Sequence, residues 1–535
     1  MRQPAASGAG QTKTDPSAAE PGTVYLVGAG PGDPELLTLR GAALLATADV
    51  VLHDELVHPA LLARVKPGCE IRAVGKRGGD PEEKQAKQSE IDAALVDLAR
   101  EGRRVVRLKG GDPFLFGRGS EEAETLARAG VPFEIVPGVT APLAAAAYAG
   151  ISLTHRDLAS SVTIVSGTTR SGKPFDFREI AGVSGTICVL MGMRRIEEVT
   201  RGLVEDARKD PSTPAAVIHW GTRPEQRTVT ARLDEIAAAA RAASIANPAL
   251  IVVGPVVALR DTIRWFDRRP LFGKRVLVTR AEGQAEQTAR LVQRRGAEPI
   301  VVPTIVLRPP PDPARITRAI HELASYDLVA FTSENGVARF FAHLREQSRD
   351  ARAFGNARVA AIGSGTAAEL AAHAITADII PKDFVGEALA TAILEALGGS
   401  GTKPDGSPVR ILLPRALVAR EVVPERLRAA GCIVDVVPVY ETTAPPPESR
   451  DALVHLLEQR RVDIVMLTSS STAANLCDLL GDRAPDLLRS TLVASIGPIT
   501  TDTATKRGLT VAVTAEVSTL PGLVAAIEAH LARAD

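Results

Sequence analysis

A glycine-rich turn, Val27–Asp33 (VGAGPGD), follows a short β-branched run near the start of the chain. Glycines where a strand turns into a helix let a ligand approach the backbone closely. A dinucleotide site is one candidate, because Asp54 lies at the end of the next strand, where a ribose-binding acid would be. However, that fingerprint needs a third glycine where this chain has Asp33, and Pro31 removes a backbone N–H that would bind a pyrophosphate. The turn is therefore either structural or a contact to a ligand without a pyrophosphate.

Four further polar or glycine-rich segments come directly after predicted strands. Each one alone is equally well explained as an ordinary turn. Together they favour a pocket, because loops on a rigid scaffold at one sheet edge are where binding sites form. The segments are HDELV at 53–57, GKRGG at 75–79, LKGGDPFLFGRG at 108–119 and VPGVTA at 136–141.

Short apolar runs alternate with helical stretches from Thr23 onward, as in VYLVG, ADVVLHD and RVVRLKG. This alternation predicts βαβ units and a largely parallel sheet, with ligands at the carboxyl ends of the strands. A second set of strands follows at SVTIVSG, TICVLMG, AAVIHWG and ALIVVG. The first module is predicted to end near Trp265 to Gly273.

The second half contains an internal repeat. Arg280 at the end of VLVTR and Arg415 at the end of ILLPR are 135 residues apart, as are Pro303 and Pro438 at the ends of two further matching segments. DLVAFTSENGV and DIVMLTSSSTA, and AIGSGTAAEL and SIGPITTDTA, match at nearly the same spacing. A repeat of this length predicts two similar α/β lobes rather than a solenoid, whose periods are about 20 to 50 residues.

Composition limits the classes of function. Lys and Arg together number 63, as do Asp and Glu, so no net charge favours nucleic acid or an anionic membrane as a partner. The four cysteines are far apart, which argues against a zinc site, and we predict no metal. Residues 1–22 read as a disordered tail without a signal peptide, and no apolar stretch reaches the roughly 18 residues of a membrane helix. We therefore expect a cytoplasmic protein.

The first half resembles uroporphyrinogen-III C-methyltransferases of the tetrapyrrole methylase family over Thr23 to Phe266. The resemblance implies a bilobal α/β domain at 23–265, followed by a linker at 266–273. It also implies S-adenosylmethionine as methyl donor, two C-methylations of uroporphyrinogen III at C-2 and C-7, and precorrin-2 as product. It rests on an ordered series of motifs: VYLVGAGPGDPELLTLRG, ADVVLHDELV, VGKR, VVRLKGGDPFLFGRG, VPGVTA, GISLTHRD, VLMGM and ALIVVGPVVALRDTIRWF.

The resemblance assigns site residues by motif. Asp54 matches the proposed proton acceptor and Lys76 the donor. The residues alone favour a helix N-cap for Asp54 and a surface charge for Lys76. His53 stands where relatives often have Tyr, and Leu115 where some have Ile. The positions that match the cofactor site are Pro31, Gly110, Gly111, Asp112, Leu115, Thr140, Ala141, Met191 and Gly221.

The second half offers small polar turns after its strands. Such turns at helix N-termini suit carboxylate ligands, although each is also a plain helix cap. The second half also resembles uroporphyrinogen-III synthase. The resemblance rests on motifs that appear in the family's order: VLVTR, FTSENGV, AIGSGTAAEL, FVGEAL, VVPVYET, LTSSSTAANL and SIGPITTDTA. The candidate substrate-binding residues in these turns are Thr332, Ser333, Ser364, Thr366, Ser469, Ser470 and Thr500.

The synthase resemblance covers 274–535 and implies cyclisation of hydroxymethylbilane with inversion of ring D and loss of water. Tyr440 matches the side chain proposed to help the hydroxyl leave; alternatively it is an aromatic residue at a strand end. The implied fold has one lobe built from 274–304 and 443–535 and the other from 308–438.

The two resemblances name consecutive steps, which favours a bifunctional tetrapyrrole enzyme in which one half makes the substrate of the other. A nucleotide-dependent oxidoreductase and a bilobal solute-binding module are the alternatives. The methyltransferase resemblance further implies a homodimer. Some relatives carry an NAD-dependent dehydrogenase and ferrochelatase module ahead of the methyltransferase domain. Here only the predicted tail precedes that domain, so we expect this chain to stop short of sirohaem.

Overall fold

The computed structural model describes residues 19–75, 81–169, 173–280 and 282–534. The chain divides into two compact units. The first comprises the chain to Arg275 together with two later segments, 292–298 and the C-terminus from Leu531, and the second comprises Val276–Leu291 and Pro299–His530. The expected α/β fold is confirmed. None of the described helices is long and apolar enough to cross a membrane.

The first unit contains ten strands and eight α-helices among the described residues. The strands are β1 (Val24–Gly28), β2 (Val50–His53), β3 (Glu70–Ala73), β4 (Val105–Lys109), β5 (Phe133–Val136), β6 (Val162–Ser166), β7 (Thr186–Leu190), β8 (Pro214–His219), β9 (Arg227–Arg232) and β10 (Ala249–Val253). The helices are α1 (Leu39–Thr47), α2 (Pro59–Leu62), α3 (Pro81–Arg100), α4 (Gly119–Arg128), α5 (Ala141–Tyr148), α6 (Ile196–Glu205), α7 (Ile236–Ala242) and α8 (Arg260–Ile263).

Two five-stranded sheets organise the first unit. One has the order β3-β2-β4-β1-β5 and is parallel throughout. Every residue of β1 and β4 is buried, as is usual in a parallel sheet covered by helices on both faces. The other has the order β6-β7-β10-β8-β9 and is mixed, because β10 runs antiparallel to both β7 and β8. The expectation of a largely parallel sheet therefore holds for the first sheet only.

Two segments at the ends of the first unit are more ordered than the sequence suggested. The predicted tail, 1–22, is too long at its end, because Ala19 is buried and its N–H donates to Thr47 Oγ1 at 2.9 Å. The predicted linker, 266–273, begins with a packed residue. Phe266 is buried, with its ring 4.8 Å from that of Tyr148 and 5.6 Å from that of Trp265. These aromatic contacts pack Phe266 into the first unit, although the sequence predicts that it belongs to a linker.

Most of the remaining described strands and helices belong to the second unit, although Arg275, Val292–Glu298 and the C-terminus from Leu531 are grouped with the first. The strands are β11 (Arg275–Val278), β12 (Glu298–Val301), β13 (Val306–Arg308), β14 (Leu328–Phe331), β15 (Arg358–Ala361), β16 (Arg410–Ala416), β17 (Ile433–Thr443), β18 (Ile464–Leu467), β19 (Leu492–Ser495) and β20 (Val513–Thr514). The helices are α9 (Glu282–Arg294), α10 (Ala314–His321), α11 (Glu334–Glu346), α12 (Ser364–Ala372), α13 (Gly386–Ala396), α14 (Val422–Ala429), α15 (Pro447–Glu458), α16 (Ser470–Leu480), α17 (Ala484–Leu488), α18 (Pro498–Lys506) and α19 (Leu520–Ala534).

The strands of the second unit form two sheets in which the corresponding strands have the same order. We call the sheet β12-β11-β18-β19-β20 with its helices lobe one, and the sheet β13-β17-β16-β14-β15 with its helices lobe two. The repeat pairs β11 with β16, β12 with β17, β14 with β18 and β15 with β19. The order β17-β16-β14-β15 in lobe two therefore corresponds to β12-β11-β18-β19 in lobe one. Because β11 and β12 join strands that follow lobe two in the chain, lobe one is discontinuous in sequence.

Candidate functional site

Three loops of the first unit meet backbone to backbone at the carboxyl ends of β1, β4 and β5. Gly30 N donates to Gly111 O at 3.2 Å, and Gly111 N donates to Gly30 O at 2.8 Å. A Cβ on Gly28 would lie 2.5 Å from Gly138 Cα, closer than any side chain allows. Gly30 and Gly111 also have φ of +75° and +71°, which other residues rarely adopt. The glycines therefore allow the loops to pack closely. As a result, the backbone atoms of the loops lie together at one edge of the sheet.

Asp112 joins two of these loops. Its Oδ1 accepts from Phe114 N at 2.8 Å and its Oδ2 accepts from Gly138 N at 2.9 Å. Thr140 next to this loop is the N-cap of α5, but its side chain makes no capping hydrogen bond. Gly111 lies beside the start of the same helix, since a Cβ there would be 3.7 Å from Ala141 N. The structure thus brings together six of the predicted cofactor residues: Pro31, next to Gly30, Gly110, next to Gly111, and Gly111, Asp112, Thr140 and Ala141.

The other predicted cofactor residues contribute apolar surface and close packing. Met191 follows β7 with φ of +56° and is half exposed. Leu115 lies between two exposed phenylalanines, Phe114 and Phe116. Gly221 packs against α5, where any side chain at this position would overlap the Cβ of Ala145. Exposed apolar side chains of this kind suit a ligand that contains a ring system.

Asp54 lies at the same edge, just after β2. Its Oδ1 accepts from Arg107 Nη2 at 2.5 Å, and its Oδ2 accepts from Gly110 N at 3.3 Å. The side chain is one-third exposed, whereas that of Arg107 is 3% exposed. His58, and not Asp54, is the N-cap of the following helix α2, so the helix-cap explanation for Asp54 is wrong. Lys76 lies outside the described residues.

A buried charge network behind Asp54 was not foreseen. Glu122 on α4 is completely buried, and its Oε1 accepts from Arg107 Nε at 3.1 Å and from Lys109 Nζ at 2.8 Å. Burial is the largest influence on Lys109 and lowers the pKa of its ammonium group. The signal was present in the sequence, because Arg107 and Lys109 alternate with apolar residues in a strand that is otherwise apolar.

In the second unit, Tyr440 and Ser333 come together from β17 and the start of α11. Their hydroxyl oxygens are 3.3 Å apart, and Ser333 Oγ also accepts from Gly336 N at 3.0 Å as the N-cap of α11. Tyr440 is 6% exposed, and burial raises the pKa of its phenol. The phenol therefore keeps its proton at neutral pH and is able to donate it.

The remaining predicted turns lie at helix starts after strands of both lobes. Ser469 is the N-cap of α16 and accepts from Thr472 N at 3.1 Å, which repeats the geometry of Ser333. Ser364 and Ser470 are the first residues of α12 and α16. Thr366 and Thr500 are buried in the first turns of α12 and α18. Thr332 directly precedes Ser333. The backbone N–H groups of these helix starts are suited to bind anions.

Comparison with known proteins identifies both halves. A family model described as tetrapyrrole (corrin/porphyrin) methylases matches residues 23–237, and one described as uroporphyrinogen-III synthase HemD matches residues 286–525. The porphyrin biosynthesis protein HemD of Ruminiclostridium josui is 36% identical over 510 residues, which are 94% of this chain and 97% of that protein.

Further relatives match slightly less than half of the chain. The uroporphyrinogen-III C-methyltransferase of Bacillus subtilis is 45% identical over 46% of this chain and 95% of that protein. A structure of uroporphyrin-III C-methyltransferase from Thermus thermophilus complexed with S-adenosylhomocysteine is 44% identical, with a TM-score of 0.39, over 44% of this chain and 99% of that one. The matches to siroheme synthases span about half the length of those proteins. The chain belongs to the family of proteins in which a tetrapyrrole methylase is joined to a uroporphyrinogen-III synthase.

Proposed function

We propose that this chain catalyses two consecutive steps of tetrapyrrole synthesis. The second unit cyclises hydroxymethylbilane to uroporphyrinogen III, with inversion of ring D and loss of water. The first unit then methylates that product at C-2 and C-7 with S-adenosylmethionine, which gives precorrin-2. One observation carries the proposal: the carboxylate of Asp54 lies at the glycine-rich edge, where its Oδ2 accepts from Gly110 N at 3.3 Å.

The glycine-rich edge suits S-adenosylmethionine. Thr140 and Ala141 would bind its polar groups through backbone N–H groups at the start of α5, Gly111 would leave room beside them, and Met191 and Leu115 would cover its apolar parts. When bound, this cofactor supplies an electrophilic methyl group on a sulfonium. The protein does not need to cradle a pyrophosphate, which agrees with Pro31 in the first loop.

In this proposal, Asp54 accepts the proton that the macrocycle loses after each methylation. Arg107 and Gly110 N hold its two oxygens, so the carboxylate is oriented before substrate binds. A positioned base of this kind contributes roughly 10²- to 10⁴-fold in rate. Lys76 remains the proposed proton donor.

In the synthase unit, the protonated Tyr440 hydroxyl assists departure of the substrate hydroxyl as water. Ser333 orients the phenol, since the two oxygens are 3.3 Å apart. The helix starts of both lobes bind the carboxylates of the substrate through backbone N–H groups. Most of the rate comes from holding the linear substrate in the geometry of ring closure.

One reconstitution tests the whole proposal. The purified chain is incubated with hydroxymethylbilane and S-adenosylmethionine, and the tetrapyrroles and S-adenosylhomocysteine are quantified. We expect precorrin-2 and two equivalents of S-adenosylhomocysteine per macrocycle. Recovery of uroporphyrinogen I alone, without S-adenosylhomocysteine, would contradict both activities, whereas uroporphyrinogen III without methylation would contradict only the first unit's role.

A further inference from the structure

Arg280 and Glu334 connect the two lobes of the second unit. Arg280 follows β11 of lobe one, and Glu334 is the first residue of α11 in lobe two. Arg280 Nη2 lies 3.1 Å from Glu334 Oε2, and the two side chains are 15% and 36% exposed. Glu334 also directly follows Ser333, the partner of Tyr440. The ion pair is therefore located where the carboxyl edges of both sheets meet, beside the proposed reaction centre.

The carboxylate of Glu334 lies against the first turn of a second helix. Gly365 is the second residue of α12, and a Cβ added there would overlap Oε1 of Glu334. The N-terminus of a helix carries partial positive charge and N–H groups without intrahelical partners. A guanidinium on one side, a helix start on the other and a glycine that leaves room between them form a binding position for a carboxylate.

The repeat shows that Arg280 differs from its counterpart. Arg415 occupies the equivalent strand end in lobe two, but it is 5% exposed. Its Nη1 donates to Arg420 O at 2.9 Å, and its Nη2 pairs with Glu421. Arg415 is thus engaged by its own loop, whereas Arg280 pairs with Glu334 of the opposite lobe.

We propose that Arg280, together with the first turn of α12, binds one carboxylate of the tetrapyrrole substrate, and that Glu334 occupies this position when no substrate is bound. This inference rests on the synthase activity proposed above. The substrate is a polycarboxylate, so one of its side chains replaces Glu334 on the guanidinium. Displacement of Glu334 also breaks the ion pair that links the two lobes.

Steady-state synthase kinetics of the full-length chain test this inference. Arg280→Gln should raise KM for hydroxymethylbilane about tenfold or more, because a charge-assisted hydrogen bond is lost, with a smaller change in kcat. Glu334→Ala should lower KM about two- to fivefold, the range that a partly exposed ion pair accounts for. Arg290→Gln is the matched control, because Arg290 forms an exposed ion pair with Glu286 on α9 of the same unit, and its KM should equal that of the wild type.

The opposite signs of the two KM changes separate a binding role from a structural one. If the pair only holds the lobes together, both substitutions will lower the melting temperature and neither will lower KM, which overturns the inference. Glu334→Ala alone decides the matter if Arg280→Gln does not fold. A wild-type chain that forms no uroporphyrinogen III contradicts the proposed function itself, whereas an active wild type with unchanged KM in both variants contradicts only this inference.

Discussion

Arg107 holds Asp54 from inside the protein: its Nη2 is 2.5 Å from Oδ1 of Asp54, although the arginine side chain is 3% exposed and the aspartate side chain is 33% exposed. A buried cation thus orients a carboxylate at the surface of the site. Because Arg107 also binds the buried Glu122, the position of Asp54 depends on the packing of α4 against the first sheet. Two predictions separate the chemical role of Asp54 from the structural role of the network.

Asp54→Asn removes the proposed base but retains a side-chain oxygen for Arg107. We expect methylation of supplied uroporphyrinogen III to slow by about 10²- to 10⁴-fold, the range for a positioned general base. The synthase rate of the same preparation should be unchanged. The control is Asp97→Asn, an exposed aspartate on α3. A methylation rate within a factor of about two of wild type would limit Asp54 to a structural contact with Arg107.

Glu122→Gln tests the buried network. The substitution leaves Arg107 and Lys109 buried without their shared carboxylate, so the free energy of unfolding should fall by about 3–5 kcal/mol. Glu124→Gln on the same helix is the matched control, because Glu124 pairs with Arg128 at an exposed position and should cost less than about 1 kcal/mol. Urea denaturation measures both. Equal losses in the two variants would show that the network does not stabilise the unit.

Two glycines at the same edge should respond differently to alanine. A Cβ on Gly110 would meet only Leu56 Cβ at 3.6 Å, so Gly110→Ala should fold normally. A Cβ on Gly138 would overlap Gly111 O, so Gly138→Ala should lose about 1–3 kcal/mol of stability. If Gly110 contacts the cofactor, Gly110→Ala will also weaken S-adenosylmethionine binding, measured by calorimetry. Unchanged affinity would remove Gly110 from the cofactor site.

Tyr440→Phe removes the phenolic hydroxyl while keeping the ring in the core of lobe two. We expect the synthase kcat to fall about tenfold or more with little change in KM, because the lost group acts on the departing hydroxyl. Tyr326→Phe is the control, since Tyr326 is also buried in this core and bonds Asp435 instead. If the two variants have the same kcat, positioning of the substrate accounts for the reaction without the phenol.

The sequence predicted the strands that carry the sites, because apolar runs bounded by glycine-rich turns have few alternatives. Asp54, Gly111, Asp112 and Thr140 were assigned by motif, and their placement at one edge follows from the parallel sheet that contains β1, β2, β4 and β5. The repeat aligns Ser333 with Ser469, and both are N-caps with the same hydrogen bond.

Contacts between distant segments could not be derived in this way. Arg280 and Glu334 are 54 residues apart and lie in different lobes, and only the fold shows that they meet. The burial of Glu122 was also hidden, because an acidic residue near the start of a helix is normally a solvated, dipole-stabilising group. The alternation of Arg107 and Lys109 in β4 indicates two buried basic side chains, but nothing in the sequence of α4 indicates that Glu122 is their shared partner.

His58 gives a pH-dependent stability that can be predicted with its sign. It is the N-cap of α2, and its Nδ1 accepts from Ala60 N at 3.2 Å, which requires the ring nitrogen to be unprotonated. Burial, and then the charge of Arg223, lower the pKa of His58 from 6.5 to about 4. The unfolded chain therefore binds a proton between these pH values that the folded chain does not, so the contribution is present above pH 6.5 and is lost as the pH falls towards 4.

His58→Asn isolates this effect, because an asparagine oxygen can cap the helix without titrating. We expect the free energy of unfolding of the wild type, measured relative to His58→Asn by urea denaturation, to decrease as the pH is lowered from 6.5 towards 4. His155→Asn is the control, since His155 makes the same kind of contact to Asp157 N at 3.2 Å from a more exposed position. A difference between wild type and His58→Asn that stays constant over this pH range would show that the buried ring is protonated in the folded protein, with its cap hydrogen bond broken.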